Sequence, residues 1–204
     1  MPVYGTLFII SAPSGGGKTT LVERLIKEVD QLIVSVSHTT RKPRKDEVEG
    51  KHYYFVDIPT FERLKSEHQF LEHAEVFGNY YGTTKSWVES QLRNGIDVIL
   101  EIDWQGARRV RDLMSCVSIF ILPPSRSALE HRLKERGQDD PAVINRRMQQ
   151  ASNEIAHYNE YNYLIVNDDL ELALGDLKAI IRARRTITPF QREKWATLIS
   201  ELTT

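Results

Sequence analysis

A glycine-rich loop near the N-terminus constrains the fold of this 204-residue chain more than any other feature. Residues 12–19 (Ala-Pro-Ser-Gly-Gly-Gly-Lys-Thr) match the pattern G-x-x-x-x-G-K-[ST], except that Ala12 replaces the first glycine. A strand-like apolar run precedes the loop, and apolar residues recur after it at the spacing of one helix face. This context predicts a strand–loop–helix unit whose backbone amides and helix N-terminus bind phosphate groups.

The residue types of the loop predict separate roles at a nucleoside triphosphate. Glycines let several backbone N–H groups point into one concavity, Lys18 supplies a charge at the β and γ phosphates, and Thr19 offers a hydroxyl to Mg²⁺. A glycine-rich turn with a chance lysine is the structural alternative, and the motif alone does not separate GTPases, ATPases and small-molecule kinases. The predicted triphosphate-binding residues are Ala12, Pro13, Ser14, Gly15, Gly16, Gly17, Lys18, Thr19 and Thr20.

Further strand-like runs alternate with helical segments along the chain. Apolar strands are predicted at residues 97–102, 117–122 and 163–166, with helices ending near Met114 and spanning residues 170–184. This alternation predicts an α/β fold in which a parallel sheet is covered by helices on both faces.

Two stretches break the alternation and predict excursions from the core. Residues 35–81 carry short alternating runs and one short helix, which predicts a small α+β insertion with its own mixed sheet. Residues 125–158 are charged and helical. The predicted core therefore consists of residues 1–34, 82–124 and 159–204.

The last segment carries an amphipathic stripe. Trp195, Leu198, Ile199 and Leu202 share one helix face, which we expect to dock on the core. A dimer contact is the less favoured alternative, so a homo-oligomer remains open.

Composition excludes several classes of protein. The formal net charge of −1 gives no bulk attraction to nucleic acid or membrane. The single cysteine, Cys116, excludes an internal disulfide, and we expect it to be a buried thiol rather than a reactive one. No apolar run approaches the roughly 20 residues of a membrane helix, and the six histidines lack metal-ligand spacing. A cytoplasmic location is expected.

Six motifs follow one another along the chain: SAPSGGGK (11–18), SVSHTTRKPR (35–44), EVEGKHYYFV (47–56), FLEHAEVFGNYYGT (70–83), EIDWQGA (101–107) and IVNDD (165–169). In this order they resemble bacterial guanylate kinases, which are P-loop nucleoside monophosphate kinases. The resemblance extends over residues 4–185 and implies a P-loop NTPase core, a GMP-binding insertion at residues 35–81 and a helical lid at residues 125–158.

The resemblance implies a GMP site in the insertion. Its residues would be Arg41, Arg44, Tyr53 and Tyr81 at the phosphate, and Ser37, Glu72, Thr83 and Asp103 around the guanine. Physical chemistry supports Glu72 independently, because one carboxylate accepts hydrogen bonds from both the N1–H and N2–H of guanine. Adenine presents an acceptor at N1 and would leave that carboxylate unpaired. The residues that would bind the GMP phosphate have a structural alternative. They could lie in a solvated loop in which acidic neighbours balance the charge of the arginines.

The resemblance also implies the residues that act on the transferred group. Arg132, Arg136 and Arg147 of the lid would join Lys18 and Arg41 as catalytic residues, and Asn167 would contact the adenine side of ATP. Glu101 leaves a strand end beside Asp103 and is a candidate Mg²⁺ ligand through water.

The implied reaction is direct in-line transfer of the γ-phosphoryl group of ATP to GMP, with Mg²⁺ as cofactor and dGMP as a second expected acceptor. A kinase for another small phosphorylated acceptor is one alternative. A non-catalytic guanylate-kinase-like protein-binding module is another, but it would be expected to have lost Lys18, Thr19 and the lid arginines, which are present.

Overall fold

The computed structural model describes residues 5–44, 47–76, 78–135 and 141–204. Two sheets lie within this part of the chain, one of five strands and one of four. The strands are β1 (Leu7–Ser11), β2 (Leu32–Val34), β3 (Ser37–Thr39), β4 (Tyr53–Phe55), β5 (Phe70–Val76), β6 (Asn79–Thr84), β7 (Asp97–Glu101), β8 (Val117–Leu122) and β9 (Tyr163–Val166).

Helices connect most of these strands. They are α1 (Lys18–Glu28), α2 (Ile58–Ser66), α3 (Lys85–Arg93), α4 (Trp104–Leu113), α5 (Arg126–Glu135), α6 (Pro141–Ile155), α7 (Leu170–Arg185), α8 (Thr188–Lys194) and α9 (Ala196–Thr203), with a 3-10 turn at Tyr158–Glu160. Among the described residues, no helix combines the length and apolar character needed to cross a membrane.

The five-stranded sheet is parallel, in the order β2-β7-β1-β8-β9. Alternate residues of β1 enter two separate cores: Phe8 and Ile10 pack with residues of α1 and α7, whereas Leu7 and Ile9 pack with residues of α3 and α4. Both faces of the sheet are therefore covered, which confirms the predicted α/β class. The nearly continuous apolar character of β1 follows from burial on both sides.

The four-stranded sheet has the order β4-β3-β6-β5 and is mixed: β3 and β4 are parallel, and the other pairs are antiparallel. Phe61 of α2 is fully buried and stacks on Phe70 and Tyr80 of this sheet. The predicted α+β insertion with its own sheet is thus present, although β6 continues beyond residue 81 to Thr84.

Helices α5 and α6 pack on each other and form the predicted helical excursion. Leu129 and Leu133 of α5 meet Ile144, Met148 and Ala151 of α6 in a small core that is separate from the two cores of the sheet. A helix pair with its own apolar contacts can shift relative to the sheet without exposing the main core.

Two core elements have no clear signal in the sequence. Strand β2 is only three residues long, which is too short to show the alternation of apolar and polar residues typical of a strand. It is ordered by parallel pairing with β7. Helix α3 buries only Val88, so its apolar pattern is weak. Both are specified by their neighbours rather than by their own sequence.

The expected docking of the C-terminal stripe on the core is wrong. Exposed fractions are 46% for Trp195, 46% for Leu198, 40% for Ile199 and 76% for Leu202. Helix α8 is anchored through the Gln191 side chain, which donates to the Arg185 carbonyl at 2.8 Å, but α9 has no buried residue. The reason is that other helices already cover both faces of the sheet.

Candidate functional site

The glycine loop lies between the end of β1 and the start of α1. Gly15 and Gly17 have φ values of 86° and 90°, in the left-handed region that side chains disfavour. Gly17 caps α1 without a side-chain hydrogen bond, so the first amides of the helix have no capping side chain. This is the geometry of a phosphate-binding helix N-terminus.

Asn167 braces this loop from the end of β9. Its side chain is 4% exposed, and its Nδ2 donates to the Gly16 carbonyl at 3.0 Å. A Cβ at Gly17 would lie 2.1 Å from the same Nδ2, so close packing as well as the dihedral requires glycine. The sequence-based role of Asn167 was adenine contact, and the structure adds this contact to the loop.

A cavity of about 360 Å³ opens beside the loop and is lined by Gly15, Gly17, Thr20, Arg132 and Asn167, among others. Arg132 reaches it from α5 and donates from Nη2 to the Asn167 carbonyl at 3.2 Å. Its Nη1 is buried and has no hydrogen-bond partner among the described residues. A buried guanidinium nitrogen without an acceptor is poised for an anionic ligand.

Lys18 begins α1 and has the carboxylate of Glu101 as its nearest acidic neighbour. Its Nζ lies 3.9 Å from Glu101 Oε2, and 24% of its side chain is exposed. Burial lowers the pKa of Lys18, and the negative charges of Glu101, Glu154 and Asp103 oppose that shift. The sequence carries no signal for Glu154, because its effect on Lys18 depends on the fold.

A second cavity, of about 330 Å³, lies between the two sheets. Asp103 at its edge caps α4 by accepting from the Gly106 amide at 2.7 Å. The structure thus brings together five of the residues predicted to bind GMP, since the lining includes Ser37, Tyr53, Glu72, Tyr81 and Asp103, together with Ala74, Glu101 and Ile102.

Glu72 is the most deeply buried acid of this cavity, with 6% exposure. Burial raises its pKa to about 7, while a hydrogen bond from Thr83 and the charge of Arg109 act in the opposite direction. Thr83 is itself fully buried, and its hydroxyl lies 2.9 Å from that of Ser37. The carboxylate is therefore held in a polar, water-poor recess.

Arg41 is engaged by an acidic neighbour in this structure. Its Nη1 and Nη2 donate to the two carboxylate oxygens of Glu47 at 2.9 and 2.7 Å. This pairing holds the pKa of Glu47 at about 2. The guanidinium also lies 5.5 Å from the ring centre of Tyr53, whose ring is 5.9 Å from that of Tyr81.

The remaining predicted residues differ in placement. The Arg44 side chain is exposed, and its backbone amide donates to Glu47 at 2.7 Å. Arg147 is half-buried on α6 and does not belong to the lining of either cavity. Arg136 lies outside the described residues.

Oxygen donors suited to Mg²⁺ occur where the two sites meet. Thr19, Ser37 and Glu101 line one cavity of about 380 Å³. Hydroxyl and carboxylate oxygens fit Mg²⁺, which retains several waters and takes phosphate oxygens as further ligands. Within the described ranges no three His, Cys, Asp or Glu side chains form a metal-binding group.

A phosphate-binding loop at the C-terminal edge of a parallel sheet, with a second polar cavity beside it, defines the class of P-loop nucleotide-binding proteins. Comparison with known proteins specifies the family. A family model described as guanylate kinase matches residues 4–184. The guanylate kinase of Alkalilimnicola ehrlichii is 57% identical over 182 residues, covering 89% of this chain and 90% of that protein. The guanylate kinase of Photobacterium profundum is 54% identical over 201 residues, 97% of each chain.

A solved structure agrees with these sequences. The crystal structure of guanylate kinase from Anaplasma phagocytophilum matches with a TM-score of 0.72 and 38% identity, covering 91% of this chain and 89% of that one. The chain therefore belongs to the guanylate kinase family of nucleotide-binding transferases (EC 2.7.4.8), which confirms the resemblance and the predicted enzyme class.

Proposed function

We propose that the protein transfers the γ-phosphoryl group of ATP to GMP, and also to dGMP, giving ADP and the nucleoside diphosphate. The observation that carries the proposal is the buried carboxylate of Glu72 in a cavity that Glu101 connects to the phosphate loop. A donor site and an acceptor site that share a wall can hold two nucleotides for direct transfer.

The donor site would hold ATP through the backbone amides of residues 12–17, with Lys18 at the β and γ phosphates and Thr20 at the cavity beside the loop. Asn167 would support this site by holding the Gly16 carbonyl through its hydrogen bond. We propose Asn167 as an adenine-side residue as well, because it lines the same cavity.

The acceptor site would recognise guanine through Glu72, with Ser37, Thr83 and Asp103 completing the hydrogen bonds around the base. An ionised carboxylate accepts from both N1–H and N2–H, and a buried site leaves a mismatched base unpaired. Tyr53, Tyr81, Arg41 and Arg44 would bind the phosphate. Arg41 would then exchange the carboxylate of Glu47 for a phosphate, another bidentate acceptor.

Mg²⁺ is proposed as the cofactor, with Thr19 as a direct ligand and Glu101 as a ligand through water. When bound, it would neutralise part of the charge on the phosphates of ATP. The protein groups around it would orient the donor phosphates: Lys18 by its charge and the loop by its amides.

We propose direct in-line transfer without a covalent enzyme intermediate. Phosphoryl transfer requires alignment of the two oxygens and stabilisation of charge on the moving group. Lys18, Arg41, Arg132, Arg136 and Arg147 would provide that charge, and the unpaired Nη1 of Arg132 supports its role. The α5–α6 pair would act as a lid that excludes water, so that ATP is not hydrolysed.

An acceptor panel tests the proposal. Purified protein is supplied with Mg²⁺-ATP and either GMP, dGMP, AMP or UMP, and ADP formation is measured. We expect turnover with GMP and dGMP and at least about a hundredfold lower kcat/KM with AMP. A preference for AMP would contradict the role of Glu72, and folded protein that forms no ADP with any acceptor would favour the binding-module alternative.

We further propose a cytoplasmic location, where these nucleotides are available, and the functional division into a core, an insertion at residues 35–81 and a lid at residues 125–158. Exchange of the lid for a short loop would test the division: GMP binding should persist, whereas transfer should be lost.

A further inference from the structure

The acceptor cavity concentrates negative charge around the residue that would bind guanine. Glu72, Glu101 and Asp103 line it, and none of the described residues in its lining is a lysine, an arginine or a histidine. Guanine would require an ionised Glu72, because only the carboxylate accepts from both N1–H and N2–H. Burial and neighbouring acids both oppose that ionisation. A positive charge close to Glu72 would therefore favour the form that binds guanine.

Arg109 of α4 contacts the strand that carries Glu72. Its Nη2 donates to the carbonyl oxygen of His73 at 2.8 Å, so the guanidinium meets the backbone of the residue that follows Glu72. Arg109 also lines a cavity of about 410 Å³, together with Ala74 and Asp103 among others. Ala74 and Asp103 line the acceptor cavity as well. The two cavities therefore adjoin, with Arg109 in one and Glu72 in the other.

The charge of Arg109 is not neutralised by a carboxylate. Arg109 forms no ion pair among the residues that the structure describes, and its hydrogen bond goes to a neutral carbonyl. Two other arginines are already paired, Arg108 with Glu160 and Arg41 with Glu47. An unpaired charge acts on ionisable groups close to it, and because Arg109 is exposed, solvent screening keeps this effect modest.

The groups that act on Glu72 lie on β6 and α4. Burial raises the pKa of Glu72 most, a hydrogen bond from Thr83 of β6 and the charge of Arg109 on α4 lower it, and the charge of Asp103 at the start of α4 raises it. Arg109 thus opposes the effects of burial and of Asp103. The other titratable groups that line the acceptor cavity are Tyr53, Tyr81 and Glu101.

We propose that Arg109 is a positioning residue for guanine recognition: it holds the strand segment that carries Glu72 and supplies the positive charge that favours the ionised carboxylate. The proposal rests on the proposed function, because it assumes that GMP occupies the acceptor cavity. Arg109 acts through Glu72 rather than on the nucleotide itself. Its loss shifts GMP binding to higher pH and leaves unchanged the hydrogen bonds that the ionised carboxylate makes.

The test is the dependence of the Kd for GMP on pH, measured by calorimetry in wild type, Arg109→Gln and Arg109→Lys. Loss of the charge in Arg109→Gln should raise the midpoint of this dependence by about 0.5–1 pH unit. The Kd should then rise about three- to eightfold at about pH 6.5 and less than about 1.5-fold at about pH 8.5, where Glu72 is mostly ionised in both proteins. Arg109→Lys retains the charge and should keep the wild-type midpoint.

Lys65→Gln is the matched control. Lys65 lines the same cavity as Arg109 and is exposed, but it is not among the groups that act on Glu72. Its replacement should leave the midpoint unchanged. A purely structural role of Arg109 would raise the Kd by the same factor at every pH. That result, or an unchanged midpoint in Arg109→Gln, would overturn the proposal.

A measurement without nucleotide separates this inference from the proposed function. Titration of the Glu72 carboxyl carbon, followed by ¹³C NMR, should give a pKa of about 7 in wild type and a value about 0.5–1 unit higher in Arg109→Gln. Equal values in the two proteins would contradict only this inference. Wild-type protein that binds no GMP at any pH would contradict the proposed function instead, and the NMR titration would still decide whether Arg109 acts on Glu72.

Discussion

At the scale of single residues, Lys18 and Glu72 are charged groups kept from full hydration, one at each proposed nucleotide site. Burial lowers the pKa of Lys18 and raises that of Glu72. The two shifts have the same origin, because low hydration disfavours the charged form of either group. Lys18 would gain the charged phosphates of ATP as partners, whereas Glu72 would gain the two neutral N–H donors of guanine.

Replacement of Lys18 by alanine should remove turnover and leave GMP binding largely intact. The ammonium is expected to stabilise charge on the transferring group, and loss of such a group lowers kcat by at least about a hundredfold. Steady-state kinetics and GMP calorimetry would measure both effects. Lys27→Ala, in the last turn of the same helix, is the matched control. Turnover near the wild-type level in Lys18→Ala would show that the assignment of Lys18 is wrong.

GMP binding should depend on pH through Glu72. The pKa of about 7 applies to the nucleotide-free protein, and guanine requires the ionised carboxylate. Below pH 7 GMP binding must therefore remove a proton from the Glu72 carboxyl group, and the Kd for GMP should rise by up to tenfold for each unit by which the pH falls. Above pH 7 the carboxylate is already ionised, so this contribution disappears.

Calorimetric measurement of the Kd for GMP between pH 5.5 and 8.5 would test this dependence, because the range spans the Glu72 pKa of about 7. Glu72→Gln should bind GMP weakly and lose the part of the pH dependence of the Kd that Glu72 causes. The part that remains would come from titration of the GMP phosphate near pH 6, so the variant separates the two contributions. Glu75→Gln, an exposed position on the same strand, should behave as wild type. An identical slope in Glu72→Gln and wild type would refute the assignment.

The sequence identified these residues individually but not their partners. Lys18 follows from its motif, and Glu72 from the resemblance together with the hydrogen bonds of guanine. The sequence left open whether acidic neighbours balance Arg41 in a solvated loop, and the structure shows that Arg41 pairs with Glu47. Nothing in the sequence indicated that Glu154 acts on the charge of Lys18. Residues distant in sequence meet only when the chain folds, so a local pattern does not specify such contacts.

At the scale of elements, predicted and observed segments agree best where a strand is a continuous apolar run. Strands β8 and β9 coincide with the predicted runs at residues 117–122 and 163–166. Strand β8 is mostly buried, whereas β9 is an edge strand in which Ile165 is the buried residue, so the apolar run rather than burial made both visible in the sequence. Strand β2 and helix α3 depend on neighbours for their order and were missed.

The loop between β1 and α1 should not tolerate a side chain at Gly17. Gly17→Ala would strain a φ of 90° and place a Cβ 2.1 Å from Asn167 Nδ2. We expect a loss of about 1–3 kcal/mol in the free energy of unfolding and at least about tenfold weaker ATP binding. Urea unfolding and nucleotide calorimetry would measure the two effects.

Gly175→Ala is the matched control for that substitution. Gly175 lies within α7, and a Cβ there would meet no atom within 4 Å. Alanine should therefore raise the free energy of unfolding by about 0.5–1 kcal/mol and leave ATP binding unchanged. If both substitutions had the same effect, the steric argument for Gly17 would fail.

At the scale of the whole molecule, the proposed donor and acceptor sites belong to different sheets and meet at Glu101, which lines the cavity between the sheets and approaches Lys18. The helical lid reaches the cavity beside the loop through Arg132, and Leu129 and Leu133 of α5 lie next to Gly15. Binding at the donor site can therefore influence the position of the lid.

Helix α9 should be dispensable for folding and transfer. Its apolar residues are largely exposed and none is buried, so removal of residues 196–204 takes little from the core. We expect a change in the free energy of unfolding below about 1 kcal/mol and turnover within about twofold of wild type. Thermal unfolding and the coupled assay would measure both.

A longer truncation provides the comparison. Removal of residues 188–204 also deletes α8, with the Gln191 bond to the Arg185 carbonyl and the contact of Phe190 with Arg184. This variant should be clearly less stable than the shorter one. Equal and large losses of stability in both truncations would show that α9 supports the fold.

By itself the sequence determined the class of this protein: the glycine loop, the buried parallel strands, the insertion and the family were recognisable because each depends on local pattern or on ordered motifs. Only the tertiary structure decided that Asn167 braces Gly16, that Glu47 holds Arg41 and that Glu101 approaches Lys18. It also decided that the C-terminal stripe stays exposed. The physical reason is common to all four: burial and electrostatic interaction depend on which surfaces meet in space, and the chain order does not specify that alone.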